Sequence, residues 1–135
     1  MNITTDMYRK ACLSALLILK RVFPVEYYRH NIVYNYRAIE IIPNNIYEET
    51  RVYCRIVYTP NGFALDISNI SLDNKIRYQG KFTQIVKGMK RVKNIKEIWV
   101  SNVLTEGMHK ACIKNGMEYD QSIMGYKLNL RKQII

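Results

Sequence analysis

The stretch from Phe63 to Met89 constrains this chain more than any other, because its apolar pattern changes period partway along. Phe63, Leu65 and Ile67 alternate as a strand does. Phe82, Ile85, Val86 and Met89, continued by Val92, recur as the inner stripe of a helix whose other face carries Lys81, Lys87, Lys90 and Arg91. Between the two lies Arg77-Tyr78-Gln79-Gly80-Lys81-Phe82, a polar turn with its glycine where the helix opens. A strand that hands over to a helix through such a turn leaves several backbone N–H groups converging on one spot, with the helix dipole behind them. That arrangement suits an anion, most naturally a phosphate.

The same strand carries an irregularity. Ile70 and Leu72 fall on the opposite phase from Phe63, Leu65 and Ile67. Either a β-bulge near Ser68-Asn69 shifts the phase by one residue, or the strand ends at Ser68. Upstream, Val52, Cys54, Ile56 and Tyr58 alternate cleanly, and Pro60-Asn61-Gly62 joins that strand to the next as a tight hairpin. Earlier still, Ile32, Tyr34, Tyr36 and Ala38 read as a strand with one buried face, whereas Ile39 and Ile41 take the other phase, so this strand is either bulged or buried on both sides. Three consecutive antiparallel strands are the expectation.

A first helix is expected over about Thr5 to Val22, capped by Thr4, Thr5 and Asp6 and ended by Pro24. The following residues, to Asn31, read as an irregular turn or a short helix. Beyond the glycine turn, Ile95 to Val100 reads as a short buried strand holding the only tryptophan, Trp99. Strand, helix, strand in that order implies a right-handed crossover and a parallel pair. A last helix, Leu104 to Lys114, stops at Asn115-Gly116, and Met117 to Leu130 returns as one or two strands. At 135 residues this is one α/β (α+β) domain, long enough to bury a core without metals or disulfides.

Composition narrows the partners. A formal charge of +10 exceeds what solubility requires and favours an anionic partner, whether nucleic acid, a phosphorylated cofactor or an acidic protein. The alternative is a lysine-rich solvated surface, since the basic residues are spread along most of the chain. Cys12, Cys54 and Cys112 are odd in number and far apart, which supports neither a disulfide framework nor a zinc site and points to a cytoplasmic setting. The apolar run Ala11 to Leu19 is too short to span a bilayer and is followed by Lys20-Arg21 rather than a cleavage site, so no membrane association is expected.

The order helix, three antiparallel strands, glycine turn, helix, strand, helix, final strands resembles the GNAT superfamily of N-acetyltransferases, with its mixed, mostly antiparallel twisted sheet and a parallel crossover after the glycine turn. That superfamily carries Arg/Gln-x-x-Gly-x-Gly/Ala between its fourth strand and third helix, where backbone amides hold the acetyl-CoA pyrophosphate. The matching residues here are Arg77 to Phe82. Asn102, Gly116-Met117 and Tyr126-Lys127-Leu128 are similar to the superfamily's closing segment. Gln-Gly-Lys-Phe-Thr with a later Val-x-Asn-Val-Leu also resembles small GNAT-like proteins of tailed bacteriophages.

What the resemblance implies is acetyl-CoA bound at Gln79, Gly80, Lys81, Phe82 and Thr83, with Arg77 and Lys81 adding charge, Asn102 nearby, and the pantetheine arm along the Ile70 to Leu72 strand. Two positions depart from the family pattern: Phe82 replaces a small residue, and Cys112 stands where a tyrosine often serves as general acid. Phe82 either joins the buried stripe or obstructs the diphosphate. Cys112 either protonates a leaving thiolate or fills the core. Asp66 and Glu40 are the candidate bases; each alternates with apolar neighbours and is either such a base or an ordinary outward-facing carboxylate, the latter favoured, and His109 is expected on an exposed helix face. Two functions follow as expectations: an acyl-CoA-dependent N-acyltransferase of unread acceptor, or a GNAT-like scaffold that binds host machinery or nucleic acid without catalysis.

Overall fold

A computed structural model describes residues 4–24, 28–32, 37–43, 51–71, 80–103 and 105–130. The first helix, α1 (Thr5–Val22), opens where Thr4 accepts a hydrogen bond from the Met7 amide through its side chain, with Asp6 in the first turn and Lys20 and Arg21 in the last. Each charge sits at the dipole end it complements. Ala11, Ala15, Leu16, Ile18, Leu19 and Val22 line its buried face, as the helical spacing requires.

Seven strands form one sheet: β1 (Tyr28–Ile32), β2 (Ala38–Pro43), β3 (Arg51–Thr59), β4 (Gly62–Ser71), β5 (Glu97–Val100), β6 (Glu118–Asp120) and β7 (Gly125–Asn129). Their spatial order is β1-β2-β3-β4-β5-β7-β6, with β4 and β5 parallel and every other pair antiparallel. Helix α2 (Lys81–Met89) makes the crossover from β4 to β5, and α3 (Glu106–Lys114) connects β5 to β6. The fold is therefore α+β, with a mostly antiparallel sheet.

The expected hairpin and bulge are both present. Gly62 takes φ +118° at the β3–β4 turn, where the Thr59 hydroxyl donates to the Gly62 carbonyl and accepts from the Asn61 amide. Cys54 pairs with Ile67 while Tyr53 pairs with Asn69, so Ser68 is the extra residue of the bulge. Val52 and Ile70 thereby return to the face that Cys54 and Ile67 occupy.

One expectation is corrected. Residues from Ile32 to Ile41 are not one strand; β1 and β2 are two antiparallel strands, in which His30 faces Ile41. The phase reversal between Ala38 and Ile39 has a simple origin: Ala38 begins a new strand rather than ending an old one. The segment read as a turn or short helix before Asn31 supplies most of β1, an edge strand whose residues do not alternate in polarity.

Cross-strand partners share a face. Ile39 and Ile41, Cys54 and Ile56, Leu65 and Ile67, Ile98 and Val100, and Tyr126 share one, and all belong to a single cluster with buried residues of α1, α2 and α3. Glu40, Arg55, Asp66, Glu97, Trp99 and Lys127 lie on the opposite face. Helices α1 and α2 approach closely. A Cβ on Gly88 would collide with the Ile18 side chain, so glycine sets the distance between α2 and α1.

His30 gives the fold a pH dependence. Both of its ring nitrogens are buried without a hydrogen-bond partner among the described residues. Burial pulls its pKa below 6.5 and the Lys20 charge adds to this, while the Phe23 backbone opposes the shift in part. The folded chain thus holds fewer protons than the unfolded one below pH 6.5, and stability falls as pH drops through that value towards the lower folded pKa. A urea midpoint measured at pH 7.5 and 5.5 is expected to fall in the wild type and to fall less in His30→Leu; an equal fall in both would assign the effect to other groups.

Candidate functional site

The polar residues of the open sheet face converge where β4 and β5 part. Their ladder runs from Ala64–Glu97 to Ile67–Val100, and the Ser101 amide adds a last bond to the Ile67 carbonyl. There β5 ends: Asn102 takes φ +54°, a left-handed conformation that asparagine tolerates better than most residues, and the chain turns towards α3. Strand β4 runs on to Ser71, paired with β3. The result is a fork with the Ser68 bulge on one prong and Ser101 and Asn102 at the other.

Asp66 sits at the base of this fork and is 1 % exposed. One carboxylate oxygen, Oδ1, accepts from the Ser101 hydroxyl at 2.8 Å. The other, Oδ2, accepts from Arg55 at 2.8 Å and from the Ser68 hydroxyl at 3.3 Å. A carboxylate this deep is tolerated because each oxygen has a donor. Of its partners, Ser68 was singled out from the sequence only as the place of the bulge, and Arg55 and Ser101 not at all. The signal for Arg55 was its place in alternation with Cys54 and Ile56, on the face that Asp66 shares.

The amino terminus of α2 belongs to the same end of the sheet. Tyr8 packs on Phe63 near the start of β4, and at the other end of α1 the Lys81 ammonium donates to the Val22 carbonyl at 2.9 Å. Lys81 therefore serves the carboxyl end of α1, where a cation offsets the dipole. Gly80 caps α2 with φ +68° and no side-chain hydrogen bond, and the first helical bond runs from the Gln84 amide to the Gly80 carbonyl. The amides of Lys81, Phe82 and Thr83 thus precede the helical ladder. Phe82 is buried in the core cluster, so its ring points away from an anion held by those amides. The Thr83 hydroxyl accepts from the Asn115 side chain at 3.3 Å. Arg77 and Gln79, the first half of the turn motif, and Leu72 lie outside the described residues.

Cys112 is fully buried on α3, and burial pushes its thiol up to about 12. A thiol so shifted holds its proton more tightly than an ordinary one. It is core filler. His109 is not on a free helix face: its Nδ1 lies 2.8 Å from the Tyr126 hydroxyl, and both rings pack with Tyr119. Tyr126 stands opposite Val100, in the cross-strand row where the fork opens, and its pKa is raised by burial first and then by Cys112 and Tyr119. Glu40 is half-buried opposite Tyr53, three strands from β5.

A second concavity, of about 460 Å³, lies near the start of β5 and is lined by Asn61, Glu97, Asp120 and Lys127 among others. The carboxylates of Glu97 and Asp120 already have partners. Glu97 accepts from the Asn61 side chain and the Trp99 indole. Asp120, held down to about 2 chiefly by the Ser122 hydroxyl and by Lys127, is 3.0 Å from the Lys127 ammonium, which also covers the Trp99 ring. Among the described residues no group of three His, Cys, Asp or Glu side chains could hold a metal. Nor is any helix there long and apolar enough to cross a membrane. No protein-family model matches the chain, and no curated protein matches it significantly.

Proposed function

We propose that this protein is a GNAT-like acyl-CoA-binding domain that transfers the acyl group to an amine. The observation that carries the reading is the fork: a parallel β4–β5 pair that stops at Ile67 and Ser101 while β4 continues past a bulge at Ser68. Ligands of sheets with parallel strands lie beyond the strands' carboxyl ends, where neighbours diverge. An extended pantetheine arm fits such an opening by adding backbone-like hydrogen bonds to β4, and the diphosphate falls to the amides of Lys81, Phe82 and Thr83. The glycine turn leads from the fourth strand, as the resemblance implies. With Phe82 turned into the core, its own ring does not cover those amides.

The chemistry assigned to the chain is modest. An amine nitrogen attacks the thioester carbonyl carbon, the C–S bond breaks and the thiolate leaves, with the carbonyl polarised by backbone amides at the bulge. Asp66, linked through the Ser68 and Ser101 hydroxyls to both prongs, is the carboxylate placed to draw the ammonium proton away. Cys112 takes no part. Isothermal titration with acetyl-CoA tests the proposal: saturable heat at micromolar to submillimolar cofactor is expected, and no heat at millimolar cofactor would overturn it.

A further inference from the structure

Basic charge without acidic balance is concentrated in one stretch of this chain. From Gly80 to Lys96 the chain carries six basic residues and no acidic one. The antiparallel neighbour of α2 is α1, as the contacts Lys81–Val22, Gly88–Ile18 and Asn94–Ser14 establish. In α1 the one acid, Asp6, sits at the amino end and is taken by Lys10. The carboxylates of Glu40, Asp66 and Glu97 lie on the far face of the sheet. Lys20 and Arg21 on α1, and Lys87, Arg91 and Lys93 on and just beyond α2, are all exposed and form no ion pair among the described residues. Ordinary solvated surfaces mix signs; here five exposed cations on and beside α1 and α2 have no acidic partner among the described residues.

We propose that this outer face of α1 and α2 docks the phosphate backbone of duplex nucleic acid. Long flexible cations without an acidic neighbour neutralise phosphates by releasing counterions, and they position a polyanion without reading bases. The choice of duplex over single strand follows from what the face lacks among the described residues. Single-strand binders stack bases on aromatic rings, whereas the exposed apolar residues of α1 are Leu13 and Leu17. The exposed tyrosines among the described residues, Tyr58 and Tyr119, are held on β3 and β6, against Phe63 and against His109 with Tyr126. The proposal does not depend on acyl-CoA binding, and its test contains no cofactor.

Fluorescence anisotropy of the full chain with a labelled 20-base-pair DNA, the same duplex in RNA and a 20-nucleotide single strand, across about 50 to 300 mM salt, decides the matter. Affinity for one or both duplexes should fall steeply and linearly on a log–log plot, and which duplex binds more tightly identifies the source. Replacing Lys87, Arg91 and Lys93 together by glutamine should flatten the slope for a DNA duplex by about 2.7, or about 0.9 for each phosphate no longer neutralised, and weaken binding more than about tenfold at low salt. Circular dichroism would establish that the variant folds. As a control of like kind, Lys110→Gln with Lys114→Gln on the exposed side of α3 should leave the slope nearly unchanged. No saturable duplex binding at 50 mM salt, tighter binding of the single strand, or an equal loss from the α3 control would each overturn the proposal.

Discussion

Replacing Gly125 by alanine should destabilise the fold by roughly 3 to 5 kcal/mol, the largest effect expected of any single methyl group in this chain. The added Cβ would collide with the Val100 carbonyl oxygen and lie 2.8 Å from the Ser101 Cα. Both are backbone atoms, so no side chain can swing aside. To make room, β7 would have to leave β5, giving up the Val100–Tyr126 pairing and the docking of β6, which pairs only with β7 among the described strands. Thermal melting should fall by about 10 °C or more for a domain of this size. Urea unfolding checks the cause: a lowered midpoint with an unchanged slope reports lost stability, and a wild-type midpoint would contradict the close approach of β7 to β5.

Asp66→Ala should follow, at about 2 to 3 kcal/mol. The change removes an acceptor for Arg55, Ser68 and Ser101 at once and leaves the Ser101 hydroxyl, in a nearly buried residue, without its partner. Arg55 tempers the loss, because its side chain is 55 % exposed and regains water. Arg55→Ala alone should therefore cost no more than about 1 kcal/mol. Denaturation of the two single variants and the double variant separates these contributions. If Asp66→Ala unfolds at the wild-type midpoint, the carboxylate does not hold the two prongs of the fork together. In the acyl-transfer reading, Asp66→Asn should keep cofactor binding while slowing transfer, since an amide takes no proton from the amine.

Much of this architecture was legible because single residues broke a pattern. The slip between Ile67 and Ile70 placed the bulge at Ser68, and Asn61-Gly62 placed the hairpin, each from backbone requirements that do not depend on distant partners. The crossover and its parallel pair followed from element order. The first hairpin was missed for an equally physical reason. Tyr28-Arg29-His30-Asn31-Ile32 lies at the sheet edge and shows no alternation to read. The site was read in halves. Asp66, Gly80 and Phe82 could be named from local context, but the Arg55–Asp66–Ser101 and His109–Tyr126 contacts join residues far apart in sequence, and only the pairing of strands brings them together. Lys81 is the converse case: its neighbours suggest an anion, whereas its ammonium reaches the end of α1.

The two ends of β4 also differ in when they can assemble. At the hairpin end, Thr59 and Gly62 pair across two intervening residues, so closing β3 onto β4 costs little chain entropy. At the fork end, β5 can join β4 only after the chain has travelled through α2 and back, a longer loop and a slower search. Joining β5 to β4 therefore costs more chain entropy than closing the hairpin. A ligand lying between the prongs would add its binding energy to the costlier of the two closures.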